Sequence, residues 1–175
     1  MILGILQLTH NATTLLFGVY LSAAFLGIVM KRSNILRLFG FSCATGLLYL
    51  GAFLFLGEAM TRELYPLIVH LPLILLLVLY YKYRPLVAAI SVLTAYLCCQ
   101  ISNWVGIAFL TLTHEQWCYY AIRIVVTVTV FLFLLLHVSD ATARLLEKST
   151  ESLAILGIIP FVYYIFDYAT NVYTS

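Results

Sequence analysis

Five polar side chains lie inside otherwise apolar stretches of this sequence, and they are its strongest candidates for binding chemistry. They comprise one imidazole, two amides, one guanidinium and one carboxylate: His70, Gln100, Asn103, Arg123 and Asp167. Together they can donate and accept hydrogen bonds, which suits a polar ligand. The sequence contains no GxSxG, HExxH or glycine-rich phosphate motif, so we expect a binding protein and not an enzyme.

The composition indicates that helices in a membrane position these side chains. The chain has 175 residues, of which 64% are hydrophobic and only 9% are charged, and its mean hydropathy is +1.07. A soluble domain of this size carries about 25% charged residues. The sequence therefore predicts an all-α, multi-pass protein of the plasma membrane.

One apolar stretch, residues 65–84, organises the rest of the chain. It contains His70 and Pro72 and is closed by Lys82 and Arg84. Its apolar part is about 25 Å long as a helix, close to the thickness of a bilayer core. Hydropathy along the whole chain predicts a single domain, 1–175, of six spanning helices, with residues 1–9 at the membrane interface. The predicted helices are 12–30, 35–56, 65–81, 86–107, 117–136 and 153–173.

The basic residues predict the orientation of this bundle. Seven of them fall in the 1–2, 3–4 and 5–6 connections, whereas only Arg62 falls in the 2–3 and 4–5 connections. Lysine and arginine are enriched on the cytoplasmic side of membrane proteins, so we expect the amino terminus to lie outside. The seven residues are Lys31, Arg32, Arg37, Lys82, Arg84, Arg144 and Lys148.

The intramembrane polar residues are predicted to share one layer of the bundle. The depth of each residue follows from its distance in sequence from the outer end of its helix, at the rise of an α-helix. On this basis four of them fall about 8–11 Å below the outer surface: His70, Gln100, Arg123 and Asp167. A charge facing lipid is unfavourable, and Arg123 and Asp167 have opposite charges, so we predict that these two pair. The cluster then has two main interpretations, a structural one that holds the helices in register and a ligand pocket open to the outside. A conduction path fits less well, because the inner half of the helices has few polar residues.

Other cofactor and partner classes find little support in the sequence. The four cysteines show no CxxC or Cys/His ligand spacing, so we expect no metal site and no cofactor. The basic residues are scattered in short connections, which does not indicate nucleic-acid binding. The expected surroundings are the lipid bilayer.

Three segments resemble the membrane sensor region of GHKL-type receptor histidine kinases, the sensors of bacterial two-component systems. They are YPLIVHLPLILLLVLYYKYRP (65–85), SVLTAYLCCQISNW (91–104) and PFVYYIFDYATNVYTS (160–175). The AYLCCQ and FDYxTxVY stretches are the most specific, and elsewhere the likeness is mainly one of hydropathy. The resemblance extends over about residues 12–175.

This resemblance implies a receptor domain for signal transduction, with an extracellular peptide or small-molecule signal and a homodimeric state. Members of the family continue into a further spanning segment and a cytoplasmic ATP-binding region. This sequence stops before any phosphoacceptor or ATP-binding region, so we expect it to be a truncated sensor region without catalysis. The alternatives are a small transporter or transporter subunit, and an assembly protein without a ligand.

Overall fold

The computed structural model describes residues 2–147 and 150–171 of the chain, and this part is helical without strands. Five helices are long and apolar enough to cross a membrane, which agrees with a membrane protein. A shorter apolar helix lies third in the chain and an eight-residue helix lies sixth. The elements are α1 (Ile2–Phe25), α2 (Arg32–Glu63), α3 (Pro66–Tyr80), α4 (Pro85–Thr113), α5 (Gln116–His137), α6 (Ser139–Leu146) and α7 (Thr150–Asn171).

Helix α1 begins earlier and ends earlier than the predicted range of 12–30. The first helix was predicted to begin at residue 12, whereas helical structure already begins at Ile2. The helix ends where Gly27 adopts a positive φ of 71°. The amides of Gly27 and Ile28 then bond to the carbonyls of Ala24 and Ala23, a Schellman motif that satisfies the end of the helix.

Helix α2 passes through a kink in a region that was predicted to be a loop. Gly57 has φ 82° and ψ 173°, values that interrupt the helix and that a residue with a side chain rarely adopts. Helical structure then resumes as far as Glu63, within the connection that was predicted between the helices 35–56 and 65–81. Only the part as far as Gly57 is apolar enough to count as a spanning segment.

Helix α3 departs from α geometry on both sides of its centre. Residues 66–70 and 76–80 are π-helical and flank five α-helical residues, Leu71–Leu75. Pro72 has no amide hydrogen to donate to the carbonyl four residues earlier, so the regular backbone hydrogen bonds of an α-helix cannot continue through this segment. Its fifteen residues span only about 22 Å, and the sixth crossing of the predicted bundle therefore depends on this one short helix.

Helix α4 lies at the centre of the bundle. It packs against α1, α5 and α7, and also contacts α3. The Ser91 hydroxyl of α4 donates to the Ser22 carbonyl of α1 over 2.7 Å, and both side chains are fully buried. The surrounding core comes mainly from α1, α3 and α4, with Leu146 and Leu153 added by α6 and α7.

The remaining helices also extend past the predicted bounds. Helix α4 continues to Thr113, beyond the predicted end at 107, and stops where His114 adopts a left-handed conformation. Hydropathy marks the part of a helix that fits the hydrocarbon core, whereas backbone hydrogen bonding continues into the interface, and this difference explains the longer helices. For α7, the predicted end at residue 173 lies outside the described residues.

The connection from α3 to α4 is anchored on the end of α1. The Tyr83 hydroxyl donates to the Leu26 carbonyl over 2.7 Å. Burial, assisted by the nearby Glu147 carboxylate, raises the pKa of the Tyr83 hydroxyl above its usual range. Tyr83 therefore keeps its proton and remains a donor at neutral pH.

Candidate functional site

The hydrogen bonds divide the five candidate residues into two groups. One group contains His70 and Asp167 and joins α3, α4 and α7. The other contains Gln100, Asn103 and Arg123 and joins α4 to α5. We call them the His70 group and the Arg123 group.

Tyrosine side chains make up most of the His70 group. The His70 Nδ1 atom lies 3.0 Å from the Tyr164 hydroxyl of α7. Three tyrosine rings surround the imidazole, with ring centres 5.0 Å away for Tyr65, 5.3 Å for Tyr96 and 5.5 Å for Tyr164. The Tyr96 hydroxyl in turn donates to the Asp167 carboxylate.

The position of His70 follows from the irregular helix that carries it. His70 is the last residue of the first π turn, in which the Leu71 amide bonds to the Pro66 carbonyl. Val69, Leu73 and Leu77 form a buried stripe on α3 at four-residue spacing. His70 lies beside this stripe and reaches α7, with which α3 otherwise has little contact. Single π turns within α-helices occur frequently at functional sites.

The Arg123 group is a chain of hydrogen bonds between α5 and α4. Arg123 donates to the Tyr119 hydroxyl one turn earlier, and its guanidinium carbon lies 4.9 Å from the centre of the same ring. The Tyr119 hydroxyl donates to Asn103 Oδ1 over 3.3 Å. Asn103 Nδ2 lies 3.4 Å from the Oε1 atom of the buried Gln100, which completes the chain.

The predicted ion pair between Arg123 and Asp167 is wrong. Arg123 is on α5 and Asp167 is on α7, and both helices pack against α4 but have little contact with each other among the described residues. Each charged group instead interacts with a tyrosine hydroxyl, Tyr119 for the guanidinium and Tyr96 for the carboxylate. The polar residues therefore do not converge on one ion pair, and the ligand-binding role of the five residues stays a prediction.

The tyrosines and His10 were not among the candidates predicted from the sequence. Tyr119 stands four residues before Arg123 and Tyr164 stands three residues before Asp167, so each tyrosine shares a helix face with an intramembrane charge. His10 was placed next to an interfacial segment, but it lies within α1 and is only 4% exposed. The apolar run that begins at Ile2 is the signal that would have placed it in the bundle.

The described residues give no indication of a metal centre. Across 2–147 and 150–171, no three histidine, cysteine or acidic side chains come close enough to hold an ion together. All four cysteines are free thiols.

Comparisons of this chain with protein-family models, with curated proteins and with solved structures gave no match.

Removing the carboxylate of Asp167 should leave the Tyr96 hydroxyl without its acceptor, and it should not change the hydrogen bonding of Arg123. Asp167→Leu takes away the carboxylate to which the Tyr96 hydroxyl donates in the bundle, which we expect to lower the free energy of unfolding by about 1–3 kcal/mol. The double variant Tyr96→Phe with Asp167→Leu should recover part of this loss, because both polar groups are then gone. Unfolding in mixed detergent micelles measures these effects. Additive losses for Tyr96 and Asp167, or strong coupling between Arg123→Gln and Asp167→Asn, would contradict this assignment.

Proposed function

We propose that this chain is a membrane-embedded sensing domain that responds to a signal at the His70 group. The observation that carries the proposal is the hydrogen bond between His70 and Tyr164, which links the irregular helix α3 to α7. A ligand shifts a conformational equilibrium only if it binds the two states differently. A ligand that takes the place of Tyr164 at His70 would meet this condition, since it would release α3 from α7.

The composition of the His70 group favours a ligand with both aromatic and polar character. Rings of Tyr65, Tyr96 and Tyr164 offer faces and edges around the imidazole. The Tyr96 hydroxyl and the Asp167 carboxylate add a polar end. This combination supports the sensor assignment implied by the resemblance to GHKL-type receptors, and we retain it as part of the proposal.

We further propose six crossings of the plasma membrane with the amino terminus outside. The distribution of lysine and arginine among the connections supports this orientation. It places the His70 end of α3 near the outer surface and the basic residues Lys82 and Arg84 in the cytoplasm. Five of the crossings are helices of sufficient length, and α3 supplies the sixth as the short one.

A small transporter is the second candidate function, because α3 contains Pro72 and two π-helical stretches. Transporters commonly bind their substrates where helices are broken near the middle of the membrane. The two functions differ in access: a transport site opens to each side in turn, whereas a receptor site of the proposed kind opens to the outside only.

Thiol labelling from each side of the membrane tests both the orientation and the function. In a background without the four native cysteines, we expect His70→Cys to react with a membrane-impermeant maleimide added outside, and Tyr83→Cys to react only from the cytoplasmic side. Reaction of position 70 from both sides would replace the sensor proposal with the transporter. Reaction of position 83 from outside would reverse the orientation.

A further inference from the structure

Within residues 2–147 and 150–171, four buried polar atoms of α1 and α5 have no hydrogen-bond partner. They are His10 Nδ1 and Thr14 Oγ1 of α1, and Arg123 Nε and Thr127 Oγ1 of α5. On each helix the two residues are four apart and therefore share a face. The two helices pack closely, and the His10 ring lies 6.1 Å from that of Tyr120 on α5.

The burial of these groups makes their lack of partners informative. His10 is 4% exposed and Thr127 is 2% exposed, so bulk water does not reach them freely. Buried polar atoms nearly always have a partner, and each exception requires an explanation. Four such atoms on two helices that pack together indicate that the site is completed by something other than the protein.

The chemistry of the four atoms favours an anion. The Arg123 Nε is a donor only, and the imidazole and the two hydroxyls can donate as well. Within residues 2–147 and 150–171, no acidic side chain pairs with Arg123, whose guanidinium interacts with Tyr119. A positive charge inside a membrane bundle is unfavourable in free energy when no counter-charge lies beside it. An oxygen acid would supply both the acceptors and the charge.

An apolar groove continues from this polar site along α1 and α5. Its volume is about 280 Å³, and its walls include Leu16, Phe17, Val128 and Phe131. Thr127 belongs to both features, since it lines the groove and carries one of the four unpaired atoms. The groove extends along α1 from Thr13 to Tyr20, about 10 Å of helix rise.

We propose that α1 and α5 bind a single-chain amphiphile with a carboxylate head, a compound of the fatty-acid class. The carboxylate accepts hydrogen bonds from Arg123, His10 and the threonine hydroxyls, and the acyl chain fills the groove. A groove of about 280 Å³ suits one acyl chain, which distinguishes this ligand from a two-chain phospholipid. The site contains none of the residues of the His70 group and does not depend on the sensing proposal.

Competitive photolabelling tests this site in the intact chain. The protein in phosphatidylcholine nanodiscs is labelled with a dodecanoate analogue that carries a diazirine near the end of its chain. We expect the label within residues 13–20 and 127–131. Unlabelled dodecanoate should compete at least about tenfold better than dodecan-1-ol, because a charged hydrogen bond contributes a factor of about ten or more.

Two variants and one control test where the carboxylate head and the acyl chain of the ligand bind. Arg123→Gln should remove the preference for dodecanoate over dodecan-1-ol, and Leu16→Trp should fill the groove and reduce labelling by both. Arg37→Gln removes an arginine that contacts Tyr80 instead and should leave the preference unchanged. The competition ratio does not depend on how much protein folds. Equal competition by the alcohol, a preference that survives Arg123→Gln, or a label on other helices would each overturn the proposal.

Discussion

Replacing Phe25 by alanine should lower the free energy of unfolding by about 3 kcal/mol, the largest effect we expect from a single truncation in this protein. Phe25 is 1% exposed and is the largest of the fully buried side chains among the described residues. Its removal leaves a cavity that the surrounding core of α1, α3 and α4 can fill only in part. The expected loss lies at the low end of the range for phenylalanine-to-alanine substitutions. The side chain still contacts lipid when the helices separate within the bilayer, so little free energy of transfer out of water is lost.

Phe55→Ala is the matched control for this experiment. Phe55 is also in a membrane-spanning segment but is 89% exposed, so it meets lipid in both the folded and the unfolded state. We expect its replacement to change the free energy of unfolding by less than about 0.5 kcal/mol. Denaturation of both variants in mixed micelles gives the comparison. Equal losses at the two positions would mean that Phe25 is not packed as the structure shows.

Replacing Gly106 by alanine should separate α4 from α5. A Cβ atom at this position would lie 2.5 Å from Cγ and 2.8 Å from Cδ of Arg123. These are atoms near the start of the side chain, so Arg123 cannot move aside without changing its rotamer or displacing the helix. Overpacking of this kind costs about 1–3 kcal/mol. The same change should weaken dodecanoate binding, because it displaces the guanidinium from the proposed head site.

Gly51→Ala provides the control for the glycine substitution. Nothing lies within 4 Å of a Cβ built at Gly51, which also sits in a helix. Alanine is favoured over glycine in helices by about 1 kcal/mol, so this variant should be as stable as the parent or more stable. Melting temperatures in detergent should therefore move in opposite directions for the two variants. Shifts of the same sign would show that Gly106 is not at a close helix contact.

The amino-acid sequence alone is enough to identify the class of this protein and its internal polar residues. Hydropathy and the scarcity of charge indicate membrane helices, because the bilayer permits only segments that satisfy their own backbone hydrogen bonds. The position of a residue along an apolar run indicates its depth, and its spacing indicates its face. For these reasons His70, Gln100 and Arg123 could be placed within the bundle without a structure.

Which helices are neighbours, and therefore which polar residues meet, depends on the tertiary packing. Arg123 and Asp167 have the same predicted depth and opposite charges, but their helices each pack against α4 and each charged group bonds to a tyrosine. Close packing against α4 depends on the absence of side chains at Gly106 and Gly157, where a Cβ would collide with α5 and α4 respectively. Such fits involve residues far apart in the chain, and helical periodicity contains no information about them. This is why the pairing of Arg123 with Asp167 could be predicted from charge and depth and still be wrong.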